Sequence, residues 1–272
     1  MEKDALTIER SRCTCAFIKK LGTKLNMQLL SQCTALVFFH RFFRSQTFET
    51  HDRFIVAIAC VFLASKVEED IKRIDDITKA ANSIKRFTAT TEVPTGKLPE
   101  SLKVLREKVL LCERVLLHTM SFNVSITHPH LPAFEIIKQM AGPCNAADLN
   151  EYRQAAWNFC NDSLFSSICV RYTPDEIAVA AVLLAYYFLK ARGESRNTLG
   201  TEKLLQKVTD MLRNHKGDLF KFYKNGFQAA RLEPISKEML TVYESPILSA
   251  VSEPVTKRLR SDDSSEFNLK KQ

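Results

Sequence analysis

Glycine and proline are scarce, at 7 and 9 of 272 residues. A turn-rich sandwich or barrel needs more such punctuation, so the chain reads as helical. No apolar run reaches the roughly 20 residues that span a bilayer, and no membrane partner is expected. No basic start followed by an apolar stretch opens the chain, so no signal peptide is expected. The eight cysteines, Cys13, Cys15, Cys33, Cys60, Cys112, Cys144, Cys160 and Cys169, include no CxxC pair and no zinc-type Cys/His spacing. Cys60, Cys112 and Cys160 sit in helical patterns and read as small buried hydrophobes of a chain kept in a reducing compartment. Walker A, GxGxxG, GxSxG and HExxH motifs are all missing. The chain is therefore not expected to be an enzyme, and no cofactor or metal is implied.

What is present is apolar length. Phe54–Ala64 is an uninterrupted apolar run of eleven that ends in Ser65-Lys66-Val67-Glu68-Glu69-Asp70. A helix apolar on every side has to be buried on every side. The run predicts a central helix over 51–66, with Thr50 as its N-cap. The 3.6-residue period predicts helices over 11–24, 28–44, 71–86 and 101–120 around it. Their stripes include Phe17, Ile18 and Leu21, then Cys33, Val37, Phe38 and Phe42, then Ile77 and Ala81. The last carries Leu105, Val109, Cys112, Leu116 and Met120. A polar loop fills Thr88–Pro99.

After His128-Pro129-His130, helices are predicted over 132–141 and 149–168. Thr173-Pro174-Asp175-Glu176 is a start signal, with Thr at N-cap, Pro at N1 and Glu at N3 to complete a capping box. Ile177–Leu189 then supplies a second apolar run, thirteen residues long. Ala180–Ala185 echoes Ala59–Ala64, and an aromatic-rich amphipathic helix precedes each. The pattern predicts a duplicated architecture, two helical bundles each wrapped round one buried helix. Residues 201–213 and 218–231 suggest two further amphipathic helices. From Glu233 the chain is polar, punctuated by Pro234, Pro246 and Pro254, and is expected to be disordered.

Three classes of function compete. As an acidic metal site, Glu68-Glu69-Asp70 and Asp75-Asp76 fail, because adjacent carboxylates on a helix point apart and no second acidic motif faces them. His128 and His130 lack further metal ligands. As a nucleic-acid binder the chain has its net charge of +8. Lys19-Lys20, Lys72-Arg73 and Lys85-Arg86 are nevertheless not interleaved with aromatics and read as solvated helix faces. Lys257–Arg260 reads either as a nuclear import signal or as plain tail charge. The third class is a scaffold that presents a surface to another protein. Lys66 lies at the C-terminal end of the buried helix, where the dipole favours a cation. Glu113 borders the apolar stripe of the 101–120 helix, so the two charges meet if those helices pack together. The plain alternative is an exposed local ion pair worth under about 1 kcal/mol.

Phe62-Leu63-Ala64-Ser65-Lys66-Val67-Glu68-Glu69 resembles the signature of a first cyclin box. Cys112-Glu113-Arg114-Val115-Leu116 and Met120-Ser121-Phe122 resemble its fifth helix and exit. His40-Arg41-Phe42-Phe43, His128-Pro129-His130 and Ala156–Leu164 are similar to segments of the transcription-associated cyclins, types K, L and T. The likeness covers about residues 12–190. It implies an all-α fold of two tandem five-helix cyclin boxes, at 10–126 and 130–232, and a flexible tail at 233–272. It also implies a nuclear regulatory subunit, in heterodimer with a cyclin-dependent kinase of the transcriptional class, that promotes phosphorylation of the RNA polymerase II C-terminal repeats. By the same resemblance Lys66 and Glu113 contact the kinase's mobile C-helix, with Glu69, Leu117 and Phe122 as flanking contacts. No direct contact with nucleic acid is implied. The competing reading is a cyclin-fold basal transcription factor of the IIB type, bound to promoter DNA. The lead-in before the first box is short, Leu6–Arg12, and residues 193–232 match the pattern poorly.

Overall fold

The computed structural model describes residues 2–87, 100–141, 146–193 and 231–244. Nine α-helices and one short 3-10 helix account for the regular structure of those residues. The first five helices are α1 (Glu2–Lys24), α2 (Leu29–Ser45), α3 (Arg53–Val67), α4 (Ile74–Phe87) and α5 (Glu100–Thr119). Then come α6 (His130–Ala141), α7 (Ala146–Ser163), the 3-10 turn Ser167–Val170, α8 (Pro174–Gly193) and α9 (Leu232–Thr241).

Two hydrophobic cores organise them. In the first, α3 is the axis, buried continuously from Val56 to Ser65. Against it pack Cys15, Ile18 and Leu21 of α1, Phe38, Phe39 and Phe42 of α2, Ile77 and Ala81 of α4, and Val109 and Leu116 of α5. The second core is built round α8, with Ile136 and Ile137 of α6, Tyr152, Ala156 and Cys160 of α7, and Leu232, Ile235 and Met239 of α9. The echo between Ala59–Ala64 and Ala180–Ala185 thus marks equivalent central helices. Small residues at their hearts let neighbours approach closely, and Tyr152 reaches in far enough to donate its hydroxyl to the carbonyl of Val182, 2.9 Å away.

Several boundaries differ from the sequence expectation, each for a physical reason. α1 starts at Glu2 rather than near 11. Its first turns carry good helix formers but expose Leu6 and Ile8, so no apolar stripe announces them. α3 is capped by Asp52, whose Oδ1 accepts from the amides of Phe54 (2.8 Å) and Ile55 (3.3 Å). Thr50 instead turns its hydroxyl back to the carbonyl of Thr47 at 3.0 Å. The predicted 149–168 helix stops at Ser163, and the Leu164 carbonyl that would continue it accepts from His40 instead. The second apolar run is not buried all round: Tyr187 and Phe188, near the end of α8, are 54% and 42% exposed. Cys112 is half-buried rather than buried.

Disorder from residue 233 onward does not hold for its first part, because 232–241 is helical. Pro234 falls in the first turn, where its missing N–H is no loss. Ile235, Met239 and Val242 follow at helical spacing and are buried. The predicted helices at 201–213 and 218–231, the loop at 88–99 and the tail from 245 lie outside the described residues, apart from Arg231 at the end of the second. The Thr173 capping box is present as expected. The Thr173 amide donates to Glu176 Oε2 at 2.9 Å and the Glu176 amide to Thr173 Oγ1 at 3.3 Å. Arg231 adds an ion pair to the same carboxylate, 2.8 Å from Oε1.

The bundles meet along α2. His40 Nε2 donates to the Leu164 carbonyl at 2.8 Å, and Arg44 donates to that of Val170 at 3.0 Å. Cys33 Sγ lies 3.5 Å from Asn161 Oδ1, which also accepts from His130 Nε2 at 3.0 Å. The His130 ring lies against Trp157, centroid to centroid 4.3 Å. Leu164, Phe165 and Val242 leave the second half of the chain to complete the first core. The segments 40–43, 128–130 and 156–164, far apart in sequence, therefore converge on one seam.

Candidate functional site

The exit of α3 and the facing stretch of α5 place Lys66 and Glu113 together. Lys66 is in the last turn of α3. Its ammonium is 2.7 Å from Glu113 Oε1 and 3.9 Å from the centroid of the Phe62 ring, one turn back on the same face. Glu113 lies between Val109 and Leu116, both fully buried, and is itself 8% exposed. The lysine side chain is 46% exposed and the glutamate side chain 11%. The pair therefore has one partner set into the protein and the other at its edge, in contact with solvent.

The acids after Lys66 take three different roles. Glu68 caps α3 and turns inward, where its Oε1 accepts from Thr34 Oγ1 at 2.6 Å. Thr34 Oγ1 is also 2.8 Å from His128 Nε2, which links the α3 exit to the segment joining the bundles. Asp70 accepts from the Gln28 amide at 2.7 Å and pairs with Lys72 at 2.9 Å. Partial burial opposes ionisation of Asp70, but the hydrogen bonds from Lys72 and Gln28 outweigh it and hold the carboxyl below its usual range. Glu69, in the left-handed region at φ 56°, points outward and is exposed. Among the described residues its carboxylate has no hydrogen-bond or ion-pair partner.

At the end of α5, Leu117 is half-buried one turn beyond Glu113, and its carbonyl accepts from the Phe122 amide at 2.9 Å. Phe122 is 62% exposed and meets the His118 ring edge to face at 5.5 Å. The five residues singled out from the sequence thus resolve into a bonded pair, Lys66 and Glu113, with Leu117 one turn on along α5, Phe122 in the turn after it and Glu69 beyond the α3 exit. Sequence reasoning missed Phe62 as the ring under the lysine, and it missed Arg41. The guanidinium of Arg41 reaches from α2 to the carbonyls of Asn123 and Ser125, at 3.0 and 3.3 Å. Its signal was present in His40-Arg41-Phe42-Phe43, but nothing there named the partner.

Among the described residues no three His, Cys, Asp or Glu side chains converge on a point where a metal ion would sit. No described helix is long and apolar enough to cross a membrane. Burial pushes the thiols of Cys33 and Cys169 up to about 12 and that of Cys112 up to about 11, which keeps them protonated and unreactive. A helical scaffold whose surface carries a half-buried ion pair and an exposed aromatic is the class these features define.

The N-terminal part of the chain carries a narrower likeness, to the cyclins. Residues 2–125 match the cyclin N-terminal domain. Cyclin-T1-3 of Oryza sativa subsp. japonica is 34% identical over 230 residues, 85% of this chain and 42% of that protein. Human Cyclin-K is 34% identical over 169 residues, 62% of this chain and 27% of that one. Human Cyclin-L1 is 33% identical over 171 residues, 63% and 32% of the two chains. These relatives are the T, K and L types that the sequence resembles, the transcription-associated cyclins. The chain spans less than half the length of each.

In fold it is similar to a chain of the CAK complex from Chaetomium thermophilum bound to ATP-gamma-S. The TM-score is 0.60 at 17% identity, over 94% of this chain and 72% of that one. It is likewise similar to a chain of the yeast RNA Pol II CTD kinase CTDK-1 complex, with a TM-score of 0.57 at 16% identity, over 91% and 84% of the two chains.

Proposed function

We propose that this protein is a regulatory subunit that binds and activates a cyclin-dependent kinase of the transcriptional class, and that the complex phosphorylates the C-terminal repeats of RNA polymerase II in the nucleus. The observation that carries the reading is the ion pair between Lys66 and Glu113 at 2.7 Å, set at the rim of the α3–α5 surface within the cyclin N-terminal domain. Relatives of the T, K and L types support it, as does the likeness in fold to a chain of a kinase complex named for that substrate. In this reading residues 10–126 form the first box. The second starts at 130 and extends beyond 232, through α9, to Val242. The chain itself carries out no catalysis.

The physical mechanism is selection of one kinase conformation. A kinase whose C-helix moves between an inward and an outward position is inactive until its Lys–Glu ion pair forms and its activation segment is ordered. A partner that binds the inward position better shifts the population by that difference in affinity. Lys66 and Glu113 would meet the C-helix at the centre of the contact, and Glu69, Leu117 and Phe122 would border it. In the free chain Lys66 is half in water. In the interface the pair would be desolvated, and truncating either partner is expected to cost about 2–5 kcal/mol of binding.

The test is affinity purification of the chain with identification of bound kinases, followed by an assay of the complex on a polymerase repeat peptide. Recovery of a transcriptional kinase whose activity depends on the chain is the expected result. Recovery of no kinase, together with tight salt-sensitive binding to promoter duplex, would favour the DNA-binding alternative instead.

A further inference from the structure

Phe122 sits in a backbone turn that its own sequence does not favour. Ser121 and Phe122 are consecutive non-glycine residues in the left-handed region, at φ 51° and 59°. That region crowds the Cβ atom against the backbone and is uncommon for a bulky aromatic. Such a conformation persists where the surroundings over-determine it. On one side the turn is held by α5, whose Leu117 and His118 carbonyls accept from the amides of Phe122 (2.9 Å) and Ser121 (3.0 Å). On the other side the Asn123 amide donates to the Met120 carbonyl (2.9 Å) and the Val124 amide to the Phe122 carbonyl (3.0 Å), and one side chain from another helix ties the segment to α2. Arg41 Nη1 donates to the Asn123 carbonyl at 3.0 Å and Nη2 to the Ser125 carbonyl at 3.3 Å. Among the described residues Arg41 pairs with no carboxylate. Its forked, permanently charged head serves this turn, and a point-like ammonium has no equivalent of that two-pronged geometry.

We infer that Arg41 is a positioning residue for the docking surface, fixing the turn that presents Phe122 to the partner protein. The inference rests on the kinase-docking reading. Arg41 does not itself join the Lys66–Glu113 pair. It acts from the opposite side of the turn, on the backbone just after Phe122. With the guanidinium gone, the α5 carbonyls still hold the start of the turn, while Asn123–Ser125 keeps its backbone bonds but loses its tie to α2 and loosens, so the exposed ring loses its fixed direction.

Two measurements on the full chain test this, with Arg41→Met, which keeps the apolar stem, and Arg41→Lys, which keeps the charge. In the free protein, amide exchange at Asn123 and Val124 should quicken by about tenfold or more in Arg41→Met, with Val109 and Leu116 unchanged. Arg41→Lys should give an intermediate acceleration. Unchanged exchange at Val124 would overturn the inference without touching the docking reading.

The second measurement is a double-mutant cycle with the recombinant transcriptional kinase that binds the wild-type chain most tightly. Arg41→Met should raise the dissociation constant about tenfold in the wild-type and Lys66→Ala backgrounds, but less than about threefold in Phe122→Ala. An equal loss in all three backgrounds would mean that Arg41 acts through general stability, contradicting the positioning role. If no kinase binds the wild-type chain, the docking reading falls and the positioning role with it, whatever the exchange result.

Discussion

Lys66 holds two neighbours at once, the carboxylate of Glu113 and the face of Phe62, yet nearly half of its side chain remains in water. That geometry separates stability from binding. An ion pair with one exposed partner contributes under about 1 kcal/mol to folding. Lys66→Ala should therefore shift the urea midpoint little, while the same change should cost kinase affinity heavily. A large loss of stability in this variant would reassign the pair to the fold. The histidines of the seam behave differently. Burial lowers His40 and His130 to about 4 from an ordinary value of 6.5. The native state thus binds fewer protons than the unfolded chain between those limits. The stability they contribute is full above pH 6.5 and is lost as pH falls toward about 4. Urea melts at a series of pH values should show this decline, and His40→Gln, which keeps a donor for the Leu164 carbonyl, should reduce its slope. An identical slope in the variant would show that His40 is not the group being titrated.

Among the elements, α3 shows what pattern reading captures and what it misses. Its burial was legible because eleven apolar residues admit no solvent-facing side, and Val56–Ser65 are indeed enclosed. Its start was misplaced because Thr50 and Asp52 are both acceptable caps by residue type. Only the turn, which directs Thr50 back to Thr47, decides between them. Asp52→Ala should cost about 1 kcal/mol of stability, whereas Thr50→Ala should stay within about 0.5 kcal/mol. Chemical denaturation of both variants distinguishes the two caps, and a larger loss for Thr50→Ala would reverse the assignment. The same limit explains α9. Proline at its third residue looked like a breaker, and the buried face of Ile235, Met239 and Val242 is too short to stand out without its neighbours. At the site, the charges at 66 and 113 were legible as a rim pair because helical projection puts Glu113 beside Val109 and Leu116. Phe62 and Arg41 were not, because ring stacking under a lysine and a reach across some eighty residues of sequence leave no local trace.

As a whole, the molecule is two cores that share residues. Leu164, Phe165 and Val242 come from the second half of the chain but complete the first core. Arg12 of α1 donates to Thr241 of α9 at 2.9 Å, and Tyr243 donates to Asp162 at 2.7 Å. Such interlocking predicts that the two boxes unfold together, in coincident transitions by tryptophan fluorescence and far-UV circular dichroism. Leu164→Ala, a fully buried truncation at the seam, should cost about 2–5 kcal/mol of stability and lower that common midpoint accordingly. Two resolved transitions in the wild-type chain would show the boxes to be independent. The arrangement also links the exit of α3 to the seam through Glu68, Thr34 and His128, so the segment joining the bundles braces that exit from behind. Everything then converges on whether that exit meets a kinase. The direct measurement is the dissociation constant of the full chain for a transcriptional cyclin-dependent kinase, compared among wild type, Lys66→Ala and Glu113→Ala at matched folding stability. A loss of about 2–5 kcal/mol in each variant, with kinase activation lost in parallel, is the predicted result. Tight, activating binding that both variants retain unchanged would contradict it.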